Sequence, residues 1–378
     1  MKFTVQRDLF QQAIAAAQRA TSSRPIQPIL AHVLLQSQGD NQLKLSATDL
    51  DFALETTVEA EVSEPGQTTL SARKLADIMA KLPPGVAVSF QVDESAQTAR
   101  IRCGSSSFEL RTLPAADFPE LKPIDQEQYL EVDGRALIRA INQTAFAAAS
   151  YESNNVLGGV FFRLTAQSLE MAATDGSRLA RSIEALSAPP ALGESASVSA
   201  IIPVKALQEF VKLAGGSLEA DEKVRLAISQ GQISLRTPHL YVLSRLLDGQ
   251  YPQYGQLIPQ ENKIVALANR QAFIASLERA AVMANERTNV VKLTFEGDHL
   301  SLAANTPDVG DASDAMNVTF ENDEPLIIAF NYKFLLDALK VIESDDVRME
   351  TNGALAPTVF KSRDRDDYLC LVMPVQVK

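Results

Sequence analysis

Three segments of this 378-residue chain share one pattern, and that repeat limits the folds open to it more than any single motif does. Residues 43–49 (LKLSATD), 169–175 (LEMAATD) and 300–306 (LSLAANT) alternate apolar and polar side chains and end in turn-forming Thr, Asp or Asn. Thr48 and Thr174 stand 126 residues apart, Thr174 and Asn305 stand 131 apart. A second marker has helical periodicity: residues 73–82 (RKLADIMAKL), 204–213 (VKALQEFVKL) and 332–341 (YKFLLDALKV). Each carries Lys-x6-Lys, as Lys74 and Lys81, Lys205 and Lys212, Lys333 and Lys340. Seven residues is close to two helical turns, so each pair shares one face, while Leu75, Ile78 and Met79 fall elsewhere on the wheel. A third marker is an alanine-rich helical stretch opening each third, at residues 8–20, 135–149 and 270–284, the last two preceded by Asp133-Gly134 and Asn269 as caps.

Between these helices lie short β-patterned runs, among them residues 87–92, 100–102, 108–110, 159–164, 223–228 and 232–236. The pattern predicts two helices and about eight strands per repeat. Segments 119–128 and 251–262, rich in proline and polar residues, read as junctions. Three α+β domains are expected, at 1–125, 126–255 and 256–378.

The chemistry is narrowed by what the chain lacks. No apolar run approaches the roughly 20 residues that span a bilayer, and the start MKFTVQRDLF has Arg7 and Asp8 where a secretory signal is apolar, so a cytoplasmic protein is expected. Cys103 and Cys370 give no disulfide framework and are expected to be buried, reduced thiols. His32, His239 and His299 lack metal-ligand spacing, and no GxxxxGK[ST], GxGxxG or GxSxG occurs, so neither a metal nor a cofactor is expected. Acidic groups do occur, at Asp49 and Asp51, Asp311 and Asp314, and Asp364, Asp366 and Asp367. Solvated turns account for them; the enzymatic alternative is a Mg²⁺-dependent nuclease or phosphohydrolase.

A net charge of −12 argues against a nucleic-acid partner, but charge is segregated. The six helical segments (7–24, 71–82, 133–150, 203–214, 269–287 and 331–341) hold 15 basic and 7 acidic residues, and the remainder holds 20 and 40. Lysines and arginines snorkelling over a core would also place cations on helices, but not at one spacing three times. Six helices about 10 Å apart, closed on themselves, leave an opening of about 9 Å. Twelve leave roughly 28 Å, enough for a duplex about 20 Å across, so a ring around DNA requires two copies. A monomeric peptide-binding scaffold and a single-strand-binding protein stay open as alternatives, the latter disfavoured by 6% aromatics and no Trp.

Arg24-Pro25 followed by Pro28-Ile29-Leu30, TLPAADFP at residues 112–119, ATDGSRLA at 173–180, DGQYPQY at 248–254 and VMP at 372–374 resemble, over essentially the full chain, the bacterial DNA polymerase III beta subunits, the sliding clamps. The resemblance implies the DNA clamp fold: a pseudo-sixfold ring built as a head-to-tail homodimer, lined by helices, encircling double-stranded DNA and tethering the polymerase III catalytic subunit, with no catalytic residues. Arg24, Arg73, Lys74, Lys81, Arg139, Lys205, Lys212, Arg279, Lys333 and Lys340 would face DNA. A groove for short peptides of the polymerase, the clamp loader and other partners would be lined by Leu157, Thr174, Gly176, Arg178, Leu179, Pro252, Leu257, Leu355, Pro357, Leu371, Val372, Met373 and Pro374. Phe108, Leu110, Val282 and Met283 would form the dimer interface. Four positions depart from the family pattern: Ser177 replaces a histidine, Gln256 an arginine and Val204 a basic residue, and the loop 150–156 has one aromatic, Tyr151, where adjacent tyrosines occur.

Overall fold

Strand and helix follow one another in a single order, repeated six times. The computed structural model describes all residues except 23, 123, 125–128, 151–154, 187–189, 191–195, 217, 220 and 377–378. The first third runs β1 (Lys2–Gln6), α1 (Arg7–Gln18), β2 (His32–Gln38), β3 (Gln42–Thr48), β4 (Phe52–Glu64), β5 (Gln67–Ser71), α2 (Ala72–Lys81), β6 (Ala87–Asp93), β7 (Thr98–Cys103) and β8 (Ser106–Arg111). The second runs β9 (Leu130–Asp133), α3 (Gly134–Thr144), β10 (Gly159–Thr165), β11 (Ser168–Thr174), β12 (Arg178–Ala185), β13 (Ser197–Pro203), α4 (Val204–Ala214), β14 (Lys223–Ser229), β15 (Gln232–Arg236) and β16 (Leu240–Arg245). The last runs β17 (Ile264–Asn269), α5 (Arg270–Ala281), β18 (Val290–Glu296), β19 (His299–Thr306), β20 (Gly310–Asn317), the short β21 (Thr319–Glu321), β22 (Leu326–Asn331), α6 (Tyr332–Lys340), β23 (Asp346–Thr351), β24 (Thr358–Ser362) and β25 (Tyr368–Val372).

Every helix is preceded by a strand and followed by three, with the short β21 as a fourth after α5, so the structural unit is a βαβββ half-domain, half the length of the repeat read from sequence. The expectation that each third opens with a helix is corrected: β1, β9 and β17 precede it, with 5, 4 and 6 residues. Strands that short show too little alternation to stand out. The alanine-rich stretch of the second third also ends early, at Thr144, whose hydroxyl donates to the Ala140 carbonyl at 2.7 Å before a 3₁₀ turn at Ala145–Ala147. Asn269 and Asn331 cap α5 and α6 by accepting from the amides of Ala272 and Lys333, both at 3.0 Å.

Pairing within each third crosses between half-domains, and all ladders are antiparallel: β1 with β6 and β2 with β5, β9 with β14 and β10 with β13, β17 with β23 and β18 with β22. Between thirds, the last strand of one half-domain pairs with the last strand of another. In this way β4 joins β16, with Ala53 opposite Leu243, and β12 joins β25, with Leu179 opposite Leu371. Of these last strands, that leaves β8 and β20, each paired among the described residues on one side only, to β7 and β19.

By its contacts the chain forms two compact units, Met1–Arg135 with Glu209–Leu246, and Ala136–Gln208 with Leu247–Lys378. The cut runs through the central third because its β14–β16 hydrogen-bond to the first third's sheet while its β10–β13 join the last third's. In the first unit Phe10 and Ile14 of α1 are fully buried, Phe10 against Phe90 at 5.2 Å and Phe90 stacked on Phe3 at 4.5 Å. In the second, Phe273 and Leu277 bury the inner face of α5, and Phe330 meets Phe360 edge-on at 5.9 Å.

Candidate functional site

The Thr-Asp-Gly run between β11 and β12 folds as a closed polar turn. Thr174 Oγ1 donates to the Arg178 carbonyl at 2.6 Å and accepts from the Gly176 amide at 3.1 Å, while Asp175 Oδ1 accepts from the amides of Ser177 and Arg178 at 2.9 and 3.1 Å. Gly176 takes φ +89°, which a glycine adopts without penalty. The first third repeats this turn bond for bond. Thr48 Oγ1 donates to the Phe52 carbonyl and accepts from the Leu50 amide, and Asp49 Oδ1 accepts from the amides of Asp51 and Phe52. There Leu50 occupies the glycine's place at φ +82°, half exposed. The Met373 amide donates to the Ser177 carbonyl at 2.9 Å, as the Arg245 amide does to Asp51.

Arg178 is spent inside this turn. Its guanidinium donates to Asp175 at 3.1 Å, to Asp337 of α6 at 2.6 Å and to the Phe146 carbonyl at 2.6 Å, and it lies 4.3 Å from the Phe334 ring centre. Its side chain is 11% exposed, so it is a clasp between β12 and α6 rather than a cation presented to a partner.

Around the turn the ladder brings together Arg178 opposite Val372 and Leu179 opposite Leu371, with Thr358 of β24 also opposite Val372, which sets Pro357 beside them. Leu179, Leu371, Leu369 and Val359 form one buried cluster under Tyr254 and Ile258. Thr174, Leu179, Leu371 and Val372 are buried. Leu157, Pro357 and Pro374 are half-buried, Gly176 and Pro252 are open, and Leu257, Leu355 and Met373 are exposed by 55, 64 and 39%. Each of the three adjoins this junction in the chain, Leu257 before Ile258, Leu355 two residues before Pro357 and Met373 after Val372. Ser177 and Gln256 are exposed, Gln256 donating to Gln253; Tyr151 lies outside the described residues.

Of the basic residues expected to face DNA, Arg73, Lys74 and Lys81 of α2 and Lys333 of α6 stand exposed, as does Arg24, which lies beyond the end of α1 at Gln18 and not on a helix as the segment 7–24 implied. Four others are compensated: Arg139 by a bidentate pair with Glu184 at 2.7 Å, Lys212 by Glu209 at 2.9 Å, Arg279 by Asp314 at 2.5 Å and Lys340 by Glu278 at 3.2 Å. The Arg139 side chain stays 34% exposed, with its guanidinium held against the almost buried Glu184. Lys205 is half-buried, and Val204 is a core side chain at the start of α4. Phe108 and Leu110 are half-buried on the β8 edge; Val282 is 75% exposed and Met283 half-buried, just beyond α5.

The acidic trio is interleaved with its own cations: Arg363 with Asp364, Lys361 with Asp366, Arg365 with Asp367. Among the described residues no group of three or more His, Cys, Asp or Glu is arranged to hold a metal ion, and no helix is long and apolar enough to cross a membrane. Both cysteines are buried free thiols.

The same architecture is found in known proteins. Residues 1–122, 131–253 and 255–376 match the N-terminal, central and C-terminal domains of the DNA polymerase III beta subunit. The chain is 35% identical over 385 residues to the beta sliding clamp of Synechococcus elongatus and 31% over 386 to that of Bacillus subtilis, both chains fully covered in each case. Its fold overlays the sliding clamps of Bartonella birtlesii and Pseudomonas aeruginosa with TM-scores of 0.90 and 0.89 at 32 and 31% identity, again over the whole of both chains. The chain belongs to the DNA polymerase III beta-subunit family, the sliding clamps, which are non-catalytic processivity factors of DNA replication.

Proposed function

We propose that two copies of this chain close head to tail into a ring that encircles duplex DNA and carries partner peptides at the junction of β12 and β25. The observation that carries this is the strand pairing: two of the three possible junctions between half-domain ends are made within the chain, β4 with β16 and β12 with β25, and the two ends left over are β8 and β20. A free strand edge is a template for another chain, and a heterologous contact that closes after two copies covers both of these edges. Phe108 and Leu110 on one edge, with Val282 and Met283 beside the other, supply apolar surface for that contact. Three domains, at 1–125, 126–255 and 256–378, then become six in the ring.

The exposed helix cations Arg73, Lys74, Lys81 and Lys333, with Arg24 in the loop after α1, attract the phosphates of double-stranded DNA. Arg139, Lys212, Arg279 and Lys340 add a weaker contribution, their charge being shared with Glu184, Glu209, Asp314 and Glu278, as does the half-buried Lys205. A closed ring does not leave the duplex sideways, so retention needs no tight phosphate contact, and sliding stays easy. The polymerase III catalytic subunit, the clamp loader and other partners dock short peptides against Gly176, Pro252, Leu257, Leu355 and Met373. This work takes place in the cytoplasm, where the bacterial chromosome is copied. Sedimentation equilibrium tests the closure: the wild type is expected at twice 41.0 kDa, and Phe108→Asp with Leu110→Asp at 41.0 kDa with an unchanged circular dichroism spectrum. A wild type that sediments as a monomer at micromolar concentration refutes it.

A further inference from the structure

The Tyr251 hydroxyl joins two segments that the ladder does not connect. It accepts a hydrogen bond from the Thr174 amide at 3.1 Å and points its own proton at the Gly159 carbonyl, 3.5 Å away. Thr174 begins the turn that carries Gly176 and Leu179. Tyr251 begins the strap that continues through Pro252 to the 3₁₀ turn Tyr254–Leu257. These are two opposing walls of the groove proposed above. The ring of Tyr251 is held on both sides, 5.7 Å from Phe161 and 6.3 Å from Tyr254, and burial pushes its phenol up to about 12, so it stays protonated as both donor and acceptor. Position 159 has no room for a side chain, since a Cβ there would lie 2.7 Å from Ile201 and 2.8 Å from Leu247.

The chain contains its own control. In the first third the strap residue in the same place is Phe118, which packs among Ile29, Leu30 and Leu34 as Tyr251 packs on Phe161. The Thr48–Phe52 turn nevertheless forms with the same hydrogen bonds as Thr174–Arg178. A hydroxyl is therefore not needed to fold the turn. What it adds in the central third is a hydrogen bond between turn and strap.

We propose that Tyr251 is a positioning residue of the partner groove: its hydroxyl holds the Thr174–Leu179 wall at the distance from the Pro252–Leu257 wall that an extended peptide requires. The proposal rests on the groove reading above. An unanchored strap has to be ordered by the incoming peptide, and that cost appears as weaker binding and faster release.

The test uses Tyr251→Phe in the full-length protein, with Ser182→Ala as a control that removes a buried hydrogen bond of similar kind, Ser182 to Gln143 at 2.7 Å, outside the groove. The probe is a fluorescein-labelled peptide copied from the clamp-binding segment of the cognate polymerase III catalytic subunit, followed by fluorescence anisotropy well below the melting temperature. Tyr251→Phe is expected to raise Kd by about three- to tenfold through a faster off-rate, with faster amide exchange at Thr174, while Ser182→Ala binds as wild type. An unchanged Kd for Tyr251→Phe, or equal weakening by both variants, overturns the positioning role. Failure of the wild type to bind the peptide overturns the groove itself, and the positioning role with it.

Discussion

Replacing Arg178 with alanine removes one side chain and strands three groups at once. Asp175 loses a 3.1 Å partner, Asp337 a 2.6 Å partner and the Phe146 carbonyl a 2.6 Å donor. Breaking a buried ion pair from one side costs roughly 3–5 kcal/mol when the remaining charge cannot reach water. Here the side chain of Asp337 is 43% exposed and rehydrates, so its share falls toward the ~0–1 kcal/mol of a surface pair. The orphaned carbonyl adds about 1–3 kcal/mol, and loss of the stack on Phe334 about 0.5–2 kcal/mol. These shares overlap, and a loss of about 3 kcal/mol is expected. Urea unfolding, read as the shift in the transition midpoint, measures it. Asp337→Asn should cost under about 1 kcal/mol, and Arg178→Lys should not rescue, because one ammonium cannot span three acceptors held by a planar fork. An Arg178→Ala protein within about 0.5 kcal/mol of wild type, or an Asp337→Asn protein equally damaged, refutes the clasp.

Two further outcomes are expected. Gly176→Leu places in the central third the residue that Leu50 provides in the first; no atom lies within 4 Å of its new Cβ, so the cost is the backbone strain of about 1 kcal/mol, while peptide binding by anisotropy falls more than tenfold. Binding at wild-type strength would show that the groove does not pass over this turn. Burial pushes the Glu350 carboxyl up, but Arg348 at 2.5 Å and Lys361 at 3.2 Å outweigh it and hold the group below the usual glutamate value. A depressed carboxylate stabilises the fold above its unfolded pKa and loses that contribution as pH falls through the folded one. Glu350→Gln should therefore melt lower than wild type at pH 7, with the gap closing below about pH 4.3; a gap that is constant with pH refutes the assignment.

Those parts of the fold whose signal is local were legible in the chain. The strands ending at Thr48, Thr174 and Thr306 combine alternation with turn residues, and they lie within one residue of their expected starts. The Lys-x6-Lys helices carry their own spacing, and α2, α4 and α6 follow it. The sixfold unit was hidden because the two helices of each third bear different markers, one alanine-rich and one lysine-paired, so the half-domains do not resemble each other in sequence. Groove composition came from the family resemblance rather than from periodicity. Neither source shows that Arg178 is committed to Asp337, 159 residues away, or that Glu184 claims Arg139, because partners brought together by folding leave no mark on either local sequence. DGQYPQY and TLPAADFP share the same aromatic-proline step, with a hydroxyl in one copy only.

Retention on DNA tests the central claim most directly. Clamp loaded by its loader onto nicked circular plasmid is separated from free protein by gel filtration in 50 and 500 mM salt, before and after a restriction enzyme linearises the plasmid. A ring held by topology stays on the circle at both salts and is lost once ends are available. Equal loss from circle and line, or steep release from the circle as salt rises, would mean that phosphate contact holds the protein and that no closed ring forms.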